Sequence, residues 1–151
     1  MKKITMLFVL SVFFFIGGMT NSFAQKITNE SELQVTLSPL AKLANLGETV
    51  KMEFSVGGNV LTGKVYPISL FFKRPDQAPI LLILMDYDGR IIYRNPEATK
   101  ITIYYNAMTK KGTVTISNVT LENEGYYYVA VENEAVWYFS NASWLEVRRP
   151  D

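Results

Sequence analysis

Among its 151 residues the chain has no cysteine and no histidine. A disulfide, a thiol nucleophile, a Ser-His-Asp or Cys-His arrangement and a zinc centre built on His or Cys are all closed to it. What remains for chemistry is scattered carboxylate. Glu122 and Glu124 flank one turn, and Asp86 and Asp88 flank another. Asp86-Tyr87-Asp88-Gly89 reads as an Asp-Gly hairpin turn in preference to a calcium loop. No catalytic residue, metal or cofactor is expected, and the chain is not read as an enzyme.

Long charge runs are absent too. The 15 basic and 14 acidic residues are dispersed, which offers no electrostatic footprint for nucleic acid and no argument for an acidic membrane surface. The longest apolar stretch, Met6 to Ile16, follows Lys2 and Lys3 and is shorter than the roughly 20 residues a bilayer span needs. It precedes Ser22-Phe23-Ala24-Gln25, where small residues suit a signal-peptidase site after Ala24. Residues 1–24 are therefore expected to be a signal peptide and 25–151 the mature domain. Loss of Lys2 and Lys3 leaves 13 of the 15 basic residues against 14 acidic ones, a formal −1. No apolar tail follows Arg148-Arg149-Pro150-Asp151, so no membrane span is expected in the mature chain.

Short β-rich segments are present in quantity, at the spacing of a sandwich. Leu33 to Leu37 and Val50 to Val56 alternate apolar and polar residues, and Gly57-Gly58-Asn59 breaks the second run. Val60 to Pro67 reads as a loop with apolar residues of its own. Ile68 to Phe72, Ile80 to Met85, Lys100 to Tyr105, Gly112 to Ser117, Gly125 to Val131 and Trp137 to Val147 supply further strands. No helical period persists.

Two of these runs carry a more specific pattern. Arg74-Pro75-Asp76-Gln77-Ala78-Pro79 with Leu81-Leu82-Ile83 falls in step with the strand C and C′ phrase of a light-chain variable domain. Val114-Thr115-Ile116-Ser117, Val119, Glu122, Gly125, Tyr127 and Tyr128 fall in step with its E–F phrase. Gly47-Glu48-Thr49-Val50-Lys51-Met52-Glu53-Phe54 is similar to strand B, and Leu145-Glu146-Val147-Arg148 to the end of strand G. Over roughly residues 33 to 149 the chain resembles an immunoglobulin variable-type (V-set) domain, which implies an all-β, antiparallel Greek-key sandwich after the signal peptide.

The resemblance also marks departures. Phe54 and Val129 stand in the two cysteine positions and Leu70 in the place of the core tryptophan, implying a core repacked as a unit. The glycine bulge before the end of strand G is missing, with Asn141-Ala142-Ser143-Trp144 in its place. Tyr127 takes the tyrosine-corner position, whose hydroxyl returns to the E–F backbone. Lys100 resembles the basic residue opening strand D, which pairs with an acid at the E–F turn, here Glu122 or Glu124.

Strand period two sends Ile68, Leu70 and Phe72 inward and Phe71 and Lys73 outward. In the family the positions of Phe71, Lys73, Pro79, Leu81 and Tyr128 lie on the outer GFCC′ face that pairs with another domain. Trp137, Tyr138 and Phe139 would extend it, although burial of Trp137 and Phe139 under the loop at Val60 to Pro67 is an equal expectation. The resemblance implies a secreted or cell-surface module, in adhesion or immune-type recognition, binding a protein partner, with a second copy of the chain as one candidate. The alternative is an exported bacterial structural or carbohydrate-binding sandwich. Sequons at Asn29, Asn118 and Asn141 are candidate glycan sites in a eukaryotic secretory pathway.

Overall fold

The structure, a computed structural model, describes residues 33–149. The expected cleavage site, Gln25 and the Asn29 sequon lie outside the described residues. The described strands are β1 Gln34–Ser38, β2 Ala41–Asn45, β3 Val50–Gly57, β4 Ile68–Lys73, β5 Ile80–Met85, β6 Ile91–Arg94, β7 Ile101–Asn106, β8 Lys111–Ile116, β9 Gly125–Asn133, β10 Val136–Phe139 and β11 Ser143–Arg148. One sheet has the order β1-β3-β8-β7 and the other β2-β11-β9-β4-β5-β6, with β10 also paired to β9. The pairing of β2 with β11 is parallel, and the rest are antiparallel. This is the A-B-E-D and A′-G-F-C-C′-C″ arrangement of a variable-type sandwich.

Alternation in the sequence sets the inward faces. Val50, Met52, Phe54 and Val56 of β3 are buried with Val35 and Leu37 of β1 and Val114 and Ile116 of β8. From the other sheet Ile68, Leu70 and Phe72 of β4, Tyr127, Val129 and Val131 of β9, and Leu145 and Val147 of β11 join the same core. Opposite β4, a register shift between Leu70 and Phe71 accommodates an extra residue in β5, and both Leu82 and Ile83 are buried.

Phe54, Leu70 and Val129 are buried to within 1 %. Phe54 gains its contacts along its own sheet. Its ring stacks on Tyr105 at 5.9 Å and 11° and covers Gly112, the residue opposite it on β8. The Tyr105 hydroxyl is carried inside with no hydrogen-bond partner among the described residues, and burial raises its pKa.

The Tyr127 hydroxyl donates to the Asn123 carbonyl at 2.8 Å, and the Tyr127 ring packs on Phe72 at 4.9 Å. Asn123 closes a short 3₁₀ turn, Leu121–Asn123, so this bond ties the E–F corner to the core. Burial is the leading cause that pushes the Tyr127 phenol well above its ordinary value. Replacing Tyr127 with Phe should cost about 1 kcal/mol in urea unfolding, the worth of one neutral hydrogen bond. Because the folded pKa is raised, the stabilisation is complete below about pH 10 and declines as the unfolded phenol ionises above it; the Phe variant should lose less stability in that alkaline range.

Four expectations are corrected. The last strand is not continuous from Trp137 to Val147 but divides into β10 and β11 around Ser140-Asn141-Ala142. A bulge forms there without glycine, because Ser140 supplies both groups itself. Its N–H donates to the Val129 carbonyl at 2.8 Å, and its hydroxyl accepts from the Val129 N–H at 3.0 Å. Strands β2 and β6 were not foreseen; β2 is paired on one side only, and β6 is short and exposed. Lys100 forms no ion pair among the described residues. The cation at the E–F corner is Arg74, which pairs with Glu97 at 3.0 Å and also donates to the Glu122 carbonyl at 3.3 Å. Its position in the turn after β4 brings it there, which spacing along the chain did not reveal.

Candidate functional site: the outer face of the larger sheet

Cross-strand register sorts the outward side chains into rows. Leu81, Phe71 and Tyr128 stand side by side on β5, β4 and β9. One step along the strands the next row runs Tyr93, Leu84, Ser69, Ala130 and Phe139. Beyond it Glu132 faces Trp137. On the other side of the Phe71 row Lys73 stands beside Tyr126, which stands beside Trp144. The Tyr126 and Trp144 rings are 4.7 Å apart.

The middle of the face is apolar. Phe71, Leu81, Tyr128 and Leu84 are half-buried, while Phe139 is 58 % exposed and Trp137 40 %. Phe139 reaches back over the sheet to Phe71, with ring centroids 5.5 Å apart. Ser69 and Ala130 point outward by strand period yet are 1 % and 0 % exposed. They are the smallest side chains of their row, and larger neighbours close over them.

Phe71, Leu81 and Tyr128 thus form one row, Lys73 lies one row away, and Trp137 lies two rows away on the same face. Pro79 is exposed in the turn before β5. Trp137 and Phe139 do not pack under the loop at Val60 to Pro67, since both remain open. That loop is held by other contacts: Lys110 Nζ donates to the Val60 carbonyl at 2.9 Å, and Lys64 lies over the Tyr66 ring at 4.7 Å. Sequence reasoning passed over Leu84, Tyr93, Tyr126 and Trp144. Tyr93 depends on seeing β6 as a strand, and Leu84 on the extra residue in β5 that turns it to the outer face. Trp144 depends on the bulge, which shifts the alternation of β11 relative to β10.

The acidic pair at the hairpin has a structural task. One oxygen of Asp86 accepts from the backbone N–H of Asp88 and of Arg90, each at 2.9 Å. Among the described residues no three acidic side chains gather as metal ligands. No helix there is long and apolar enough to cross a membrane.

The sequons differ in surroundings. Asn118 is exposed at the E–F corner with φ 51°, and its amide makes no hydrogen bond among the described residues. The Asn141 amide is engaged throughout. Its nitrogen donates to the carbonyls of Leu37 and Ala142 at 2.8 and 3.2 Å, and its oxygen accepts from the Leu37 N–H at 3.0 Å.

Comparison with curated proteins finds none that matches the chain. The family model of the immunoglobulin V-set domain matches residues 38–148. V-set domains are in general recognition modules for proteins, typically non-enzymatic and extracellular or displayed at the cell surface. The match spans the sandwich from the end of β1 to the end of β11 and agrees with its strand order, and the chain belongs to the immunoglobulin V-set family.

Proposed function

We propose that this domain is exported and binds a protein partner through the outer face of β4, β5, β9 and β10, in adhesion or immune-type recognition. One observation carries the reading. The Leu81–Phe71–Tyr128 row, with Leu84 and Phe139 beside it, is a continuous apolar strip on the outer face, half-buried along the row and open at Phe139. The free face of an antiparallel sheet is ordinarily polar, and contiguous exposed apolar surface with aromatic residues at its centre marks a binding site.

Leu81→Arg and Tyr128→Glu should each weaken partner binding by about tenfold or more, since both sit centrally in the strip. Each should change unfolding free energy by less than about 1 kcal/mol, because an outward position has little core to lose. Binding measured by cross-linking to native extracellular proteins, beside urea unfolding of the same variants, checks both. Unfolded variants would place these residues in the core, and folded variants that bind normally would move recognition to the loops around Val60 to Val65 and Glu132 to Val136.

Export and modification follow the same reading. When expressed through a eukaryotic secretory pathway, the product should start within a residue or two of Gln25. It should carry a glycan on Asn118 and none on Asn141, whose amide hydrogens are both committed in the fold. Peptide mapping of secreted protein reads the start and both sites, and an occupied Asn141 would contradict the assignment.

A carbohydrate-binding role, as of an exported bacterial sandwich, rests on a different place. Trp144, against Tyr126, borders an open hollow of about 520 Å³ lined also by Leu43, Glu124, Glu146 and Arg148. Sugar-specific signal on a glycan array that disappears in Trp144→Ala would favour this role.

A further inference from the structure

β7 stands at the end of the smaller sheet, with β8 on one side only. Its residues, Ile101–Asn106, are β-branched, aromatic or amide and carry no charge, and their register against β8 is regular. Edge strands are ordinarily guarded by a charge, a proline, a bulge or a covering contact. At the other ends of the two sheets, Asn141 takes both backbone groups of Leu37 on β1, β2 carries Lys42, and β6 is short with an irregular register against β5.

One hydrogen bond fixes which backbone groups of β7 are free. Lys100 and Ser117 continue the register of β7 and β8, and the Ser117 N–H donates to the Lys100 carbonyl at 2.9 Å. Hydrogen-bonded pairs alternate along an antiparallel ladder. Thr102, Tyr104 and Asn106 therefore turn their backbone groups to β8, and Ile101, Ile103 and Tyr105 turn theirs outward. Arg94 agrees, since its guanidinium reaches from β6 to donate to the Ile101 carbonyl. Past the other end of β7 the Ala107 carbonyl accepts from the Gly63 N–H at 3.1 Å. Between these two closures the N–H and carbonyl of Ile103 and of Tyr105 have no partner among the described residues, over about 7 Å of strand.

The side chains beside this window are apolar. Ile103 faces the core but is only half-buried, between Ile101 and Tyr105, which are both buried. Ile91 of β6 lies opposite Met85 and on its inner side, yet it is 39 % exposed where Met85 is buried. Ile91 stands three steps along β6 from Arg94, which sets it near the level of Ile103.

We propose that β7 receives an extended, uncharged segment of a partner protein as a fifth strand of the smaller sheet, antiparallel to β7. This goes beyond the reading of the outer face and does not depend on it. Antiparallel pairing satisfies all four free groups with two residues of the segment, and the same two residues turn their side chains inward toward Ile103 and Ile91. In strand addition the main-chain bonds give affinity and the alternate side chains give specificity. A second copy of β7 fits this edge less well. The Arg94 contact puts β6 beyond the edge of β7, so a second copy brings its own β6 into that space, whereas a lone strand passes beneath.

The test is NMR of the secreted protein with a capped pentapeptide of alternating threonine and valine, valine at its second and fourth positions. In the dilute protein alone, the amides of Ile103 and Tyr105 should exchange with solvent about a hundredfold faster than those of Thr102 and Tyr104, which are bonded to β8. The peptide should shift the Ile103 and Tyr105 amides and slow their exchange, with a Kd on the order of 1 mM for so short a strand. Methylating both valine nitrogens of the peptide should raise that Kd about tenfold or more, because two of the four bonds are lost. Ile91→Asp should raise the Kd for the unmethylated peptide about tenfold, by setting a charge against its inward side chains, and an otherwise unchanged amide spectrum verifies its fold.

Ile103 and Tyr105 amides that exchange as slowly as their neighbours in the dilute protein overturn the free edge. Slowing that appears with rising protein concentration alone makes the occupant a second copy and overturns the foreign segment. Shifts confined to β2, no shift at 10-fold above the expected Kd, or equal binding of the methylated peptide overturn strand addition at β7. None of these outcomes alters the Leu81→Arg and Tyr128→Glu result, which judges the outer face separately.

Discussion

Gly112→Ala is expected to lower the unfolding free energy by about 3 kcal/mol, at the upper end of what overpacking usually costs. The cause is the residue that replaces the strand-B cysteine. Phe54 is far larger than cysteine, and its ring is accommodated by lying over Gly112 on the neighbouring strand and against Tyr105. A Cβ at residue 112 would come within 2.0 Å of the Phe54 ring and 2.6 Å of the Tyr104 carbonyl oxygen. The ring has no free volume to turn into, being buried on all sides, and the carbonyl belongs to β7 and cannot move without straining that strand. Urea unfolding gives the loss directly. The same substitution in a Phe54→Ala background should cost distinctly less, because the ring is gone and only the carbonyl contact remains. Additive losses across the four proteins would show that Phe54 and Gly112 do not share this space.

Asn141→Leu is expected to cost about 2–3 kcal/mol by leaving two backbone groups of Leu37 without their partner. In the parent the Asn141 amide meets both the N–H and the carbonyl of Leu37, as a neighbouring strand would. Leu37 lies opposite Phe54, and Ser140 binds both backbone groups of Val129. The path Phe54, Leu37, Asn141, Ser140, Val129 therefore runs round the edge of the sandwich between the two positions where the family resemblance places a disulfide. A second clasp lies close by, where the Ser143 hydroxyl donates to the Pro39 carbonyl at 2.5 Å. Asn141→Asp should lose nearly as much as Leu, since its oxygen still accepts from the Leu37 N–H but its second oxygen opposes the Leu37 carbonyl. Unfolding free energies within about 0.5 kcal/mol of the parent for both variants, the range of ordinary surface changes, would show the clasp to be dispensable.

Where apolar and polar residues alternate without interruption, strand and facing were legible from residues alone. Val50 to Val56 is the clearest case: Val50, Met52, Phe54 and Val56 are buried, and Lys51, Glu53 and Ser55 between them face the other way. Period two admits only one choice once one face must leave water. The run from Trp137 to Val147 was legible as β and misleading as a single strand, because the bulge at Ser140 to Ala142 leaves no glycine to announce it. Ile91 to Arg94 was missed although its turn was seen, since four exposed residues carry no alternation to read.

By itself the sequence determined the absence of thiol and imidazole chemistry, the family and the alternation of strands such as β3; the strand period turned Phe71 outward, and the family resemblance did the same for Leu81 and Tyr128. Those depend on residue identity and on the two-residue repeat of a strand, which are local. Tertiary structure decided which of these side chains become neighbours, that Phe139 and Leu84 extend their strip, that Arg74 rather than Lys100 braces the E–F corner, and that Asn141 clasps Leu37 from 104 residues away. Each is a matter of register and of bulges between strands distant in the chain. A single-residue shift there reverses the facing of every side chain beyond it, and no spacing along the sequence records that shift.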